Sequence, residues 1–518
     1  MNNSIGNPKR VPSRNRRLLL LGVALVAALF AYAASNRNEV SVEPPDPAVD
    51  RSRIGINLFG PQTFNRQQVF TNLIAQSEWF SFEGEEWSSM PEEQLDRSGW
   101  VRYLRPGQVA LRPLMMPPGA NRTTDVHCRF VGEGAFSAGG LATVVRHTPN
   151  LVHLTIQVRG DDNDGAWLEL TTTSPNDPVR SLDCRETERP TDERFHPNFV
   201  DFLQGFQILR FLDWQRINDN FPLLWEERAL PDHSSQVSRA GASIEDMVDI
   251  ANQIGADPWF LMPYSADDTY VRGFAKLVHQ RLDPQRVVYV ELGNEIWNDM
   301  FDAAQQAERE GLALGFGGGD RKRAQSIRYA EKLCRTHRIW SEVFADRPGK
   351  LVRVASSQNA YPELAHIILG HGDTATCVDA LATAPYVWLD LQGRGLADLG
   401  WVFAQMPRIV EETIEFAERN RATAMRYGKR YIAYEGGQHL VTPDLEFAQA
   451  LQRDPRMGEV YRSYLSLWDS RIRSDLVLYA STAPITEYGS WGLREYPDQP
   501  SAQTPKLTAV RQFMADAQ

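Results

Sequence analysis

The stretch Val287-Val-Tyr-Val-Glu-Leu-Gly-Asn-Glu-Ile-Trp-Asn298 opens on a short apolar run and breaks into Gly, Asn and an acid. A run this brief, closed by a turn signal, reads as a strand buried on both faces. Seven more runs of the same texture stand at Ile54–Leu58, Phe206–Leu212, Pro258–Met262, Leu351–Ala355, Ala380–Ala384, Arg430–Tyr434 and Leu476–Ala480. Between them, Ser243–Ile254, Tyr270–Gln280, Asp299–Leu314, Ala324–Val343 and Met406–Tyr427 carry apolar residues at i, i+3 and i+4, the spacing of helices packed on a sheet. Eight strands alternating with helices predict an α/β fold, a (β/α)8 TIM barrel. An open doubly wound sheet is the competing arrangement, and it normally shows a Gly-rich phosphate turn after its first strand. None stands there. The Gly cluster of this sequence, Gly315-Phe-Gly-Gly-Gly319, follows a helix and reads as a C-cap and loop.

The chain has 518 residues, more than one barrel needs. From about residue 76 to 190 the helical periods give way to alternating Thr, Val and aromatic runs cut by Gly, Pro, Asn and Asp clusters. Examples are Leu151-Val-His-Leu-Thr-Ile-Gln-Val158 and Ala166-Trp-Leu-Glu-Leu-Thr-Thr172. We expect an all-β, sandwich-like domain over 76–190, inserted after the first barrel strand, with the barrel made of 53–75 and 191–518. Residues 1–17 hold five positive charges and no acid, and Leu18–Ala34 is an uncharged apolar run. Residues 1–34 are therefore expected to be a signal peptide or an uncleaved signal anchor through residues 18–34, followed by a polar linker over 35–52. Ala31-Tyr-Ala33 suits a signal peptidase and the long basic leader suits an anchor, so both stay open. In either case the chain is exported, to the periplasm, the exterior or the face of the cytoplasmic membrane.

Four cysteines fit an oxidising compartment. Of the three connectivities, the local pairs Cys128 with Cys184 and Cys334 with Cys377 suit the domain split, four free thiols being the alternative. Asn121-Arg-Thr123 is a glycosylation acceptor only in a host with that machinery. With 42% hydrophobic and 23% charged residues the chain can bury a large core. A net charge of −11 argues against a nucleic-acid partner, which needs a basic face.

In a barrel the chemistry sits just past the C-terminal ends of the strands. There the fourth run places Glu295 and the seventh, Tyr431-Ile-Ala-Tyr-Glu-Gly-Gly-Gln438, places Glu435. Two carboxylates in one mouth are what glycosidic hydrolysis needs, one to protonate the leaving oxygen and one to attack the anomeric carbon or activate water.

With Gly-Asn-Glu-x-Trp-Asn after the fourth strand and a lone Glu after the seventh, the chain resembles the clan A glycoside hydrolases, retaining enzymes on (β/α)8 barrels. The resemblance covers roughly residues 200–496 and the first strand, and does not reach the β insertion. It implies Glu295 as acid/base, Glu435 as nucleophile and Asn294 as a donor to the sugar 2-hydroxyl. It implies that Arg210, in Ile208-Leu-Arg-Phe211, stands beside the nucleophile and keeps it ionised, that Tyr386 hydrogen-bonds it, and that Trp491 stacks on sugar. The histidine that often precedes the strand-six tyrosine by two is Ala384 here, so that helper is absent or comes from elsewhere. The resemblance further implies a carbohydrate substrate, a β-linked poly- or oligosaccharide, and no metal or cofactor.

Other residues have plainer readings. Trp297, Trp388, Trp259 and Trp214 are further flat apolar faces for sugar, the last three more often packing than platforms. Glu291, Glu487 and Glu495 are spare acids that could bind hydroxyls. His127, His153 and His439 lack metal-ligand spacing and read as solvated or structural, and Gly134-Ala-Phe-Ser137-Ala-Gly139 breaks the serine-hydrolase pattern. A non-catalytic glycan-binding or polysaccharide-assembly protein on the same barrel is the alternative, since fold does not fix function.

Overall fold

The computed structural model describes residues 51–516, apart from 63–64, 85, 116–121 and 159–164. The segments expected to be leader, anchor and most of the linker, and Asn121, lie outside the described residues. Among the described residues no helix is long and apolar enough to cross a membrane.

Eight parallel strands close into a barrel in chain order: Ile54–Asn57, Ile208–Arg210, Asp257–Met262, Val288–Leu292, Leu351–Ser356, Ala380–Thr383, Arg430–Ala433 and Leu476–Leu478. Closure comes from Ile54 pairing with Leu476 as Gly55 pairs with Ile208. A Cβ on Gly55 would stand 2.8 Å from the Ile208 Cβ and carbonyl oxygen, so only glycine lets these two strands approach. All eight apolar runs of the sequence become strands, each within a few residues of its expected ends, because strands covered on both faces stay apolar throughout.

Along each strand the side chains alternate between two cores. Ile208, Trp259, Leu261, Tyr289, Val354, Ala382, Ile432 and Val477 fill the barrel interior. Their neighbours Leu209, Phe260, Val290, Ala355, Leu381, Ala433 and Leu478 face the helices. Period two then puts Arg210 and Glu291 inside the barrel, one layer above Ile208 and Tyr289. This alternation aims the charged residues at the mouth.

The helices follow local rules. Ile244–Ile254 is capped by Ser243, whose Oγ accepts from the Asp246 N–H, and ends at Gly255 with φ of 73°. Asp268–Arg281 and Arg321–Val343 start on Asp267 and Asp320 in the same way. One boundary differs from expectation by more than three residues. The helix expected from Met406, just before Pro407, starts at Leu399 and runs through that proline to Arg426. Burying Val402, Phe403 and Met406 ahead of Pro407 outweighs the hydrogen bond that proline removes.

Between the first and second barrel strands the chain forms two antiparallel sheets. One has four strands in the order 180–186, 122–131, 151–158, 142–148; the other has five, in the order 87–89, 80–82, 109–114, 166–173, 134–140. Val126, Phe130, Leu154, Ile156, Leu168 and Leu170 belong to an apolar cluster separate from those of the barrel. The sheets are tied to the barrel side by the Ser234 N–H, which donates to the Ser98 carbonyl at 2.8 Å, and by Arg112, which donates to the Ile74 and Ser234 carbonyls. Both local disulfides are present. Cys128–Cys184 joins paired strands, and Cys334–Cys377 ties the Arg321–Val343 helix to the approach of strand six.

Candidate active site

Past Leu292 the chain turns sharply over the barrel mouth. Gly293 and Glu295 both have positive φ, 62° and 46°. For glutamate that is an uncommon and strained conformation, held here by its surroundings. The Asn298 N–H donates to the Glu295 carbonyl at 2.7 Å, the Asn298 side chain to Glu295 Oε2 at 2.8 Å, and the Tyr434 hydroxyl to Oε1 at 3.1 Å. Every partner of this carboxyl is neutral.

Glu435 meets different company. Its Oε1 accepts from Arg210 Nη1 at 2.8 Å and its Oε2 from the Tyr386 hydroxyl at 2.9 Å. Arg210 is wholly buried and also donates to Asn57 Oδ1 and Asn294 Oδ1, both at 2.9 Å, and to Glu291 Oε2 through Nη2 at 2.9 Å. Trp259 Nε1 donates to that same Glu291 oxygen at 3.0 Å. One guanidinium thus serves two buried carboxylates, Glu291 below it and Glu435 beside it.

These surroundings set the charges. Burial opposes the charge on Arg210, but Glu291 and Glu435 more than offset it and hold the guanidinium above its ordinary value. Burial first, and the Glu435 charge second, push Glu295 up to about 8 against the hydrogen bonds from Asn298 and Tyr434. Burial raises Glu435 as well, while Arg210 and the Tyr386 hydroxyl pull it back. A proton shared by the pair therefore rests on Glu295 and leaves the charge on Glu435. Tyr386 lies well above its ordinary value through burial and the Glu435 charge, so it stays a donor.

Glu295, Glu435, Asn294, Tyr386, Trp297, Trp388 and Trp491 all line one cavity of about 280 Å³, with Arg210 under its floor. Trp297 Nε1 donates to the Tyr434 oxygen at 3.2 Å and so braces the tyrosine that holds Glu295. The other tryptophans separate. Trp259 and Trp214 are fully buried and offer no face to a ligand: Trp259 stacks on Tyr289 inside the barrel, and Trp214 packs on Phe199 and Phe211. Among the spare acids, Glu291 is the buried counter-ion of Arg210 and Glu495 pairs with Arg453 at 2.8 Å, so neither is free for hydroxyls; Glu487 is not on the cavity wall.

His439, expected to be solvated or structural, lines the cavity. Its ring stands 5.3 Å from Tyr386 and 5.6 Å from Trp491, and burial lowers its pKa to about 4. An imidazole does stand beside Tyr386, but it comes from the short strand Gly437–His439 paired with Tyr386–Trp388, not from position 384. Residues to which the motif reading gave no role are Tyr434, Tyr479, Asn218, Asn298 and Gln358, all on the cavity or holding its acids. Tyr434 and Tyr479 fall inside apolar runs and look like core; their hydroxyls were the available signal, since a buried tyrosine needs a partner.

No family model and no curated protein matches the chain. Solved structures do. They include an arabinofuranosidase from Xanthomonas axonopodis pv. citri (11% identity over 58% of this chain and 63% of that one, TM-score 0.38). An α-L-arabinofuranosidase from Thermotoga maritima (12%, 61% and 64%, 0.35) and an endo-1,4-β-D-xylanase from Clostridium thermocellum (9%, 86% and 96%, 0.35) also match. All three are glycoside hydrolases. The chain spans a little under two thirds of the length of the two arabinofuranosidases. Likenesses this distant carry no argument about what the chain does, which rests on the mouth of its own barrel.

Proposed function

We propose that the protein is a retaining glycoside hydrolase that cleaves a β-linked poly- or oligosaccharide outside the cytoplasm by double displacement. The observation that carries this is one cavity with two carboxyls in opposite environments: Glu295 among neutral partners with a pKa near 8, Glu435 between Arg210 and Tyr386. That is the division of labour the reaction needs.

Glu435 attacks the anomeric carbon as Glu295 gives its proton to the departing glycosidic oxygen, leaving a glycosyl ester on Glu435. Water then attacks the same carbon, Glu295 takes its proton, and the Glu435 carboxylate is released. The separation suited to this sequence is about 5–5.5 Å between carboxyl groups. Asn294, fixed by Arg210 and by an N–H donated to Asn218 at 3.1 Å, is placed to meet the sugar 2-hydroxyl, and Trp491, Trp388 and Trp297 offer apolar faces. We assign the two sheets over 76–190 to an inserted domain. Two disulfides support an oxidising compartment.

The test is hydrolysis of a polysaccharide panel by the wild type and by Glu295→Gln and Glu435→Gln, with product anomers followed by proton NMR. Losses of about 10²-fold or more in both variants and a product of retained configuration are expected. Full activity in both variants removes the assignment, and an inverted product removes double displacement.

A further inference from the structure

We infer that the sugar held at the cleavage point is uncharged and that the side-chain amide of Gln358 is a specificity-determining contact to its hydroxyls. This rests on the glycosidase assignment and names the substrate class. Gln358 follows the fifth barrel strand, is 7% exposed and lines the cavity. Its amide makes no hydrogen bond to any described residue and is not sealed in the protein interior, so it opens onto the cavity. No described residue supplies a partner, and a ligand in the cavity can. A sugar hydroxyl, donor and acceptor at once, matches an amide in both roles. Asn218, half-buried on the same wall, offers a second amide: its oxygen accepts from Asn294, and its own N–H groups have no partner among the described residues.

The charges around the cavity exclude a carboxylate-bearing sugar. On its wall Glu435 carries the negative charge, and Glu295 is the protonated carboxyl beside it. Arg210 lies beneath with its N–H groups committed to Glu291, Glu435, Asn57 and Asn294. Lys322, behind Trp297 at the rim, is held by the Trp297 carbonyl at 2.9 Å and Asp299 at 2.5 Å. Behind Tyr479 stands another acid, Asp213, which accepts from the Tyr479 hydroxyl at 3.2 Å. His439 is kept neutral by burial. A uronate would enter a mouth of its own sign with no free cation among the described residues of its wall to fork onto it, and recognition of carboxylates relies on such cations.

The experiment titrates the Glu295→Gln protein, which keeps the Glu435 carboxylate and its Arg210 partner, by calorimetry with neutral gluco-, xylo-, manno-, galacto- and arabino-oligosaccharides and with uronate oligosaccharides of matching linkage. At least one neutral oligosaccharide should bind about tenfold or more tighter than its uronate counterpart. Adding Gln358→Ala should weaken that binding about tenfold. Gln358→Lys should instead raise uronate affinity by a similar factor, a gain that misfolding cannot produce. Equal or tighter uronate binding, unchanged affinity in Gln358→Ala, or no binding of any neutral chain overturns the inference. Wild-type hydrolysis of a uronate chain that is lost in Glu295→Gln would also overturn it while leaving the glycosidase assignment standing. Tight neutral binding without turnover of any glycan would do the reverse.

Discussion

Replacing Arg210 by Met should be among the most damaging single changes in the barrel, and the damage should depend on pH. The wild-type guanidinium is fully buried, salt-bridged to Glu291 at 2.9 Å and Glu435 at 2.8 Å, and bonded to Asn57 and Asn294. Methionine fills similar space but leaves two carboxylates in the interior with no cation. Breaking one buried pair by removing a partner costs about 3–5 kcal/mol. Here one side chain serves two pairs, so a loss at the upper end, about 5 kcal/mol near pH 8, is expected. The sign against pH follows from linkage. In the variant, with the lowering influence of Arg210 gone, burial holds the folded-state pKa of Glu435 above its unfolded one, so its ionisation opposes folding increasingly as pH rises through the folded value. The deficit against wild type should therefore shrink at pH 5, where protonation relieves it. Chemical unfolding of both proteins at pH 5 and pH 8 measures this. A loss below about 1 kcal/mol, or one equal at the two pH values, would refute the shared-cation account of the mouth.

Three further outcomes follow from the same geometry. The basic limb of kcat/KM should fall as pH rises through about 8, because the proposed role of Glu295 requires its protonated form; a limb that stays flat beyond pH 9 contradicts the assignment. Tyr386→Phe removes a donor to ionised Glu435 at 2.9 Å, worth about 1.5–3 kcal/mol, so kcat/KM should fall about 10- to 100-fold and the acid limb should move to higher pH. The tryptophans should divide by assay: Trp259→Ala should cost about 3–5 kcal/mol of stability, while Trp388→Ala should raise KM with the unfolding midpoint nearly unchanged.

Much of the barrel could be read from the chain because its strands are short and apolar on both faces, a texture that needs no tertiary knowledge to see. The acids were legible for a related reason. Glu295 and Glu435 sit directly after such runs, where a barrel exposes its loops. Helix starts were less secure: the apolar spacing was read from Met406, and only the buried face of 402–406 shows why the helix begins at Leu399. Tyr434 and Tyr479 read as core because their runs are apolar, yet each directs a hydroxyl to an acid, Glu295 or Asp213.

The sequence alone settles periodicity and position, and hence eight strands, their order, and which polar residues stand at their ends. It leaves open which face of each strand turns inward and how far each pair is staggered, since one residue of register exchanges the two faces. Barrel closure decides both. It puts Trp259 beside Tyr289 and away from the cavity, turns Glu291 from a free acid into the partner of Arg210, and brings Arg210 to Glu435 across 225 residues of chain. The opposite environments of Glu295 and Glu435 arise at that step, because burial and neighbouring charge are properties of the closed barrel rather than of either residue's place in the chain.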